Sequence, residues 1–138
     1  MNIKPALALL IALSLPLAAA HTAVTDLQPA AGSVVKAPSS VTLRFSESVN
    51  LRYSIFKVYP LPAGQSGQRA AAELTRRVIA LRGDEAARAD RYRPRTGQSQ
   101  GVTVPLKPGL KPGQYVVMWR LMSADGHPVT GQSVFGVR

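Results

Sequence analysis

His21 and His127 are the only two histidines in the chain, and their positions decide what chemistry is open to it. His21 follows Ala18-Ala19-Ala20, a run of small residues at which a leader can be cut. Cleavage after Ala20 makes His21 the first residue and converts its backbone nitrogen from an amide into a primary amine. That amine and the ring Nδ1 of the same residue can close on one metal ion as a chelate. An internal histidine has no such option. His127 adds a second imidazole, and Asp125, across Gly126, adds a carboxylate. Nitrogen donors with one carboxylate oxygen in a tetragonal plane favour Cu(II), with Ni(II) second. Copper also heads the Irving–Williams order, so the set prefers Cu(II) to Zn(II). The expected metal ligands are therefore His21, Asp125 and His127. A free α-amine has a pKa of roughly 7.7–8.0, so copper affinity should fall below neutrality as protons compete for it.

Other chemistry is thin. Met118 and Met122 are the methionines left after the leader, and thioethers suit Cu(I). Their i, i+4 spacing on a strand, opposite Trp119, points instead to packing. Ser123, Asp125 and His127 are hydrolase residue types but lie almost contiguously, whereas a triad is a spatial constellation. No catalytic residue is assigned. Glu47, at a strand end, reads as a surface carboxylate or as an acceptor behind the ligands. The chain has no cysteine, which excludes thiolate sites and disulfides and leaves stability to the hydrophobic core.

These residues need a scaffold and a compartment. Residues 1–20 read as a signal peptide: Lys4 is the positive start, and Ala6 to Leu17 the apolar run, interrupted by Ser14 and Pro16. A membrane span needs about 20 consecutive apolar residues, so the mature protein is expected to be soluble, exported and a single domain over 21–138. The full chain of 138 residues carries a net charge of +10. Much of it crowds between Arg69 and Arg95, and is read as a solvated face or a docking surface for headgroups or an acidic partner. Nucleic acid is not expected, since export and the absence of aromatic-basic interleaving argue against it.

The pattern of the mature chain is alternation. Val41, Leu43 and Phe45 mark one strand; Ser54 to Tyr59 and Val102 to Leu106 mark two more. Tyr115 to Met122 is the clearest, with Tyr115, Val117, Trp119 and Leu121 on one face. Ser133 to Val137 closes the chain. Pro and Gly turns between short strands indicate an all-β sandwich. The stretch 62–100 is long, polar and basic, and is expected to be an irregular, partly mobile insert, with Leu74 to Leu81 readable as helix or strand.

The segment from Leu110 to Gly131 resembles the CopC family of periplasmic copper-resistance proteins. Its Leu-x-Pro-Gly-x-Tyr (Leu110, Pro112, Gly113, Tyr115), Trp119-Arg120, and Ser-x-Asp-Gly-His (Ser123, Asp125, Gly126, His127) follow that family's pattern. Pro38, Val41, Leu43, Phe45-Ser46-Glu47 and Val49 match its first strand region, and His21 followed by Pro29 matches its opening. The resemblance implies an immunoglobulin-like Greek-key β-sandwich, a periplasmic location, and Cu(II) on His21, Asp125 and His127. Some members add a Cu(I) site in a methionine-rich loop. The matching stretch here, Lys57 to Arg69, has neither methionine nor histidine, so the chain resembles the Cu(II)-only type. A CopD-like inner-membrane copper transporter is the partner implied.

The expected function is a monomeric, non-enzymatic carrier that holds Cu(II) for resistance, buffering or delivery. Two rivals come from other classes. A histidine-brace copper monooxygenase would need a broad substrate face, which a single Trp and few other aromatics do not suggest. A metal-free immunoglobulin-like interaction module would show no thermal shift with copper.

Overall fold

The computed structural model describes residues 21–138, and the proposed leader, residues 1–20, lies outside the described residues. Seven strands form two sheets. In chain order they are β1 (Val24–Gln28), β2 (Val34–Val35), β3 (Ser40–Asn50), β4 (Ile55–Pro60), β5 (Gln98–Pro105), β6 (Gly113–Met122) and β7 (Pro128–Val137), with one helix, α1 (Gly67–Val78), between β4 and β5. One sheet has the order β1-β3-β5 and the other β2-β7-β6-β4. From β3 onward the chain alternates between the sheets until the β6–β7 hairpin, giving the immunoglobulin-like Greek-key sandwich expected from the sequence.

The alternation read along the chain becomes the interior. Val41, Leu43 and Phe45 of β3 meet Val117 and Leu121 of β6 and Phe135 of β7 across the two sheets, all buried. Tyr115 joins them, stacked on Phe135 with ring centroids 5.7 Å apart. Its hydroxyl donates to the Lys111 carbonyl at 2.7 Å, which satisfies the polar tip where the strand enters the core. Trp119, partly buried, packs on the same cluster and lies over Gly131. A Cβ at Gly131 would come within 2.7 Å of the indole, so only glycine fits that position.

The stretch 62–100 corrects the expectation of an irregular insert. It carries α1, whose buried Ala71, Leu74, Thr75 and Val78 fall at helical spacing. That stripe covers the outer face of the four-stranded sheet, where Tyr59, Val116, Met118 and Val134 form a second apolar cluster. The Arg-rich composition hid these few apolar residues, and the helix is stable because it has a sheet face to bury them on. Met118 is fully buried in this cluster, so its role is packing, as its spacing suggested.

Charged groups hold the rest of the insert. Lys57, 4 % exposed, donates to the carbonyls of Val78 (2.9 Å) and Leu81 (2.7 Å) and to Asp84 (2.7 Å). It thus places a cation at the C-terminus of α1, where the helix dipole favours one. Asp84 also accepts from the Tyr59 hydroxyl and pairs with Arg88 at 3.5 Å. Asp90, whose side chain is fully buried, accepts from the backbone N–H groups of Val58 (2.7 Å) and Tyr92 (2.9 Å) and from Arg88 (2.7 Å). The outer edge of β4 is closed this way, with Ala89 N–H donating to the Val58 carbonyl at 2.7 Å.

Candidate metal centre

Residues 123–127 form the loop of the β6–β7 hairpin, which the Met122↔Pro128 pair closes. Ser123 organises it. Its backbone N–H donates to the His127 carbonyl at 3.2 Å, and Gly126 N–H donates to the Ser123 carbonyl at 3.0 Å. Gly126 sits at φ +83, a left-handed conformation that a side chain would strain. The Ser123 hydroxyl, largely buried, accepts from His127 N–H at 3.1 Å and lies within hydrogen-bond reach of Asp125 Oδ1. The tight turn turns the two candidate ligands toward one another. Asp125 Oδ2 lies 3.0 Å from His127 Nδ1, with both side chains mostly in solvent.

The Asp125 carboxyl is held down at about 2, first by the Ser123 hydroxyl and then by its bonds from His127. It is therefore ionised throughout the range in which an amine or imidazole can be deprotonated. Ser123→Ala removes the leading cause, so the Asp125 pKa should rise from about 2 toward the ordinary carboxylate value of roughly 3.9. A carboxyl-carbon NMR titration of the two proteins reads this directly, and an unchanged midpoint would refute the role given to Ser123.

His21 lies just ahead of β1, the edge strand of the opposite sheet. It is exposed, while Thr22 next to it is 2 % exposed with its hydroxyl bonded to Glu47. Ala23 N–H donates to Ser46 Oγ at 3.0 Å, and Ser46 N–H returns to the Ala23 carbonyl at 2.9 Å. Glu47 thus anchors the residue beside His21: it is the exposed surface carboxylate that was expected, and its bond goes to Thr22 rather than to a candidate ligand. Two residues further along β3, Val49 forms a bridge with Ser123. Two residues of strand span about 7 Å, so one short piece of β3 tethers both the start of the mature sequence and the hairpin loop.

The structure therefore brings Asp125 and His127 into contact and sets His21 ahead of β1, outside any strand. Among the described residues, no group of three or more His, Cys, Asp or Glu side chains stands close enough to hold a metal ion as arranged. The part that sequence reasoning missed is the tethering by Thr22, Glu47 and Ser123. Only Glu47 had a signal, its place at a strand end.

Comparison with known proteins adds independent findings. The family model described as the CopC domain matches residues 24–138. Protein YobA of Escherichia coli K12 is 32% identical over 120 residues, covering 86% of this chain and 80% of that protein. Copper resistance protein C of Pseudomonas syringae pv. tomato is 31% identical over 122 residues, covering 88% and 84%. Among solved structures, CopC from Methylosinus trichosporium OB3b superposes with a TM-score of 0.57 at 26% identity, covering 85% of this chain and 93% of that one. PcoC, described as a methionine-rich copper resistance protein from Escherichia coli, gives 0.56 at 25% identity, covering 86% and 100%.

Proposed function

Since the chain belongs to the CopC family, we propose that it is a periplasmic carrier that holds Cu(II) on His21, Asp125 and His127 and passes it on. The observation that carries this reading is the Asp125–His127 pair on a loop tied to the same stretch of β3 as Thr22. Removal of residues 1–20 frees the His21 amine, and the Thr22–Glu47 bond keeps the new terminus from straying. Asp125 and His127 already face one another, and a cupric ion entering between them would take an oxygen of the one and a ring nitrogen of the other in place of their mutual contact. His21 closes the set from the segment ahead of β1 as copper arrives, so that loading rather than folding completes the site.

The donor chemistry supports Cu(II) over Cu(I). Nitrogen and carboxylate donors suit the cupric ion, and soft thioethers the cuprous one. Of the three methionines in the chain, Met118 is buried under α1 and Met1 belongs to the proposed leader. This separates the chain from the relative described as methionine rich. No helix among the described residues is long and apolar enough to cross a membrane. Delivery to a CopD-like inner-membrane transporter, by a monomer that catalyses nothing itself, completes the proposal.

Copper-dependent stabilisation tests the reading. Binding only to the folded form stabilises it by about 2.7 kcal/mol when free ligand is 100 times the dissociation constant. The chain beginning at His21 should show a higher thermal midpoint with Cu(II), and His127→Ala should lose most of the shift. A midpoint indifferent to copper would instead support a metal-free interaction module.

A further inference from the structure

Alongside β4 lies a cavity of about 1030 Å³, bounded by β4, the segment after α1 and the loop that precedes β5, with Arg120 of β6 also on its wall. Its wall is basic in a particular way. Arg52, Arg82, Arg91, Arg93 and Arg120 line it, and none forms an ion pair among the described residues. The cations that do have partners, Lys57 and Arg88, are matched to Asp84 and Asp90, which leaves Glu85 as the one unmatched acid on the wall. Apolar surface accompanies the charge. Tyr53 and Leu81, 58% and 51% exposed, are two of the three large apolar side chains that the described fold leaves most open, and both line this cavity. The Arg52 guanidinium lies 5.7 Å above the Tyr53 ring.

Like charges crowded around a recess raise the energy of the unoccupied state, and a ligand that brings carboxylates relieves it. Arginine and tyrosine side by side are also the residues that most often carry binding energy at protein interfaces. The recess is preformed, because the bonds that Asp90 and Lys57 make fix its floor. Little ordering cost then remains for binding. A lipid bilayer presents a broad, flat surface that cannot enter a concavity. A flexible chain can enter, placing carboxylates on the arginines and an apolar side chain between Tyr53 and Leu81. We propose that this cavity binds an acidic polypeptide segment of a protein partner, one with apolar side chains set between its carboxylates. The site adjoins the candidate metal loop: Ser54 lines the cavity, and its hydroxyl accepts Met122 N–H, the residue before that loop, at 3.0 Å. A partner seated here would lie beside the hairpin loop.

The test needs no copper, so its outcome is separate from that of the metal reading. Isotope-labelled protein starting at His21 is titrated with a terminally blocked peptide of alternating Glu and Leu, and with its Gln–Leu counterpart. The acidic peptide should bind, shift amides in residues 52–57 and 79–94, and weaken as salt is added. The Gln–Leu peptide should not bind measurably. Replacing the exposed Arg52, Arg91 and Arg93 by serine should weaken the acidic peptide by at least about tenfold. The thermal midpoint and the copper affinity of that variant, which report the fold and the hairpin loop, should stay as they were. Tyr53→Ser should weaken binding without changing its salt dependence. The proposal is overturned if the Gln–Leu peptide binds equally, if the serine variant binds the acidic peptide as before, or if the shifts fall elsewhere. It is also overturned if phosphatidylglycerol vesicles occupy the cavity in an arginine-dependent way while the acidic peptide does not.

Discussion

A chain beginning at His21 with its α-amine acetylated should bind Cu(II) at least about a hundredfold more weakly than the same chain unmodified, a loss of about 2.8 kcal/mol. The difference between the two proteins is one acetyl group ahead of β1, so the fold hardly changes. What changes is the His21 nitrogen. As an amine it is a strong donor that closes a chelate ring with its own imidazole. As an amide its lone pair is delocalised into the carbonyl, and the imidazole must bind alone. Isothermal titration against a competing chelator at fixed pH measures the gap. The same titration across pH carries a second signature. Asp125, held at about 2, contributes no proton competition near neutrality. Any weakening as pH falls from 8 must therefore come from protonation of nitrogen donors, and it should be steeper for the chain with the free amine.

Asp90→Ala should cost about 3–5 kcal/mol in unfolding free energy, among the largest losses open to a single substitution here. The carboxylate is fully buried and supports three partners at once: Arg88 and the N–H groups of Val58 and Tyr92. Alanine leaves the Arg88 charge without its closest partner and two buried amides without acceptors, and each unmet group carries its own desolvation penalty. The damage should stay on the β4 side. Urea denaturation of the chain starting at His21 would show the lower stability, while copper affinity under native conditions should hold, because the hairpin loop bonds through Ser123 rather than Asp90.

Much of the sandwich was legible in the residues because a strand with one buried face writes its period directly into the sequence. The five strands marked by alternation correspond to β3 to β7, and Tyr115, Val117 and Leu121 face the core as expected. The elements that were missed lack that signal. The strand β1 is only five residues long, with mixed exposure, and β2 is a two-residue parallel pairing fixed by β7. Helix α1 was obscured because its polar face is crowded with charge, and its apolar stripe has meaning only against Met118 and Val134 on the sheet. At the candidate site, residue types were readable and contacts were not. The Asp125–His127 contact follows from a local turn and was foreseeable from Gly126. The shared tether on β3 is a pairing between distant segments, Thr22 with Glu47 and Val49 with Ser123, that no local pattern encodes.

The central claim is that two imidazoles and a terminal amine share one cupric ion. Pulsed electron paramagnetic resonance of the Cu(II)-loaded chain beginning at His21 detects the remote nitrogen of each coordinated imidazole. The account predicts two such imidazoles in that chain and one after His127→Ala. A spectrum showing a single imidazole before the substitution, or no change after it, would contradict it.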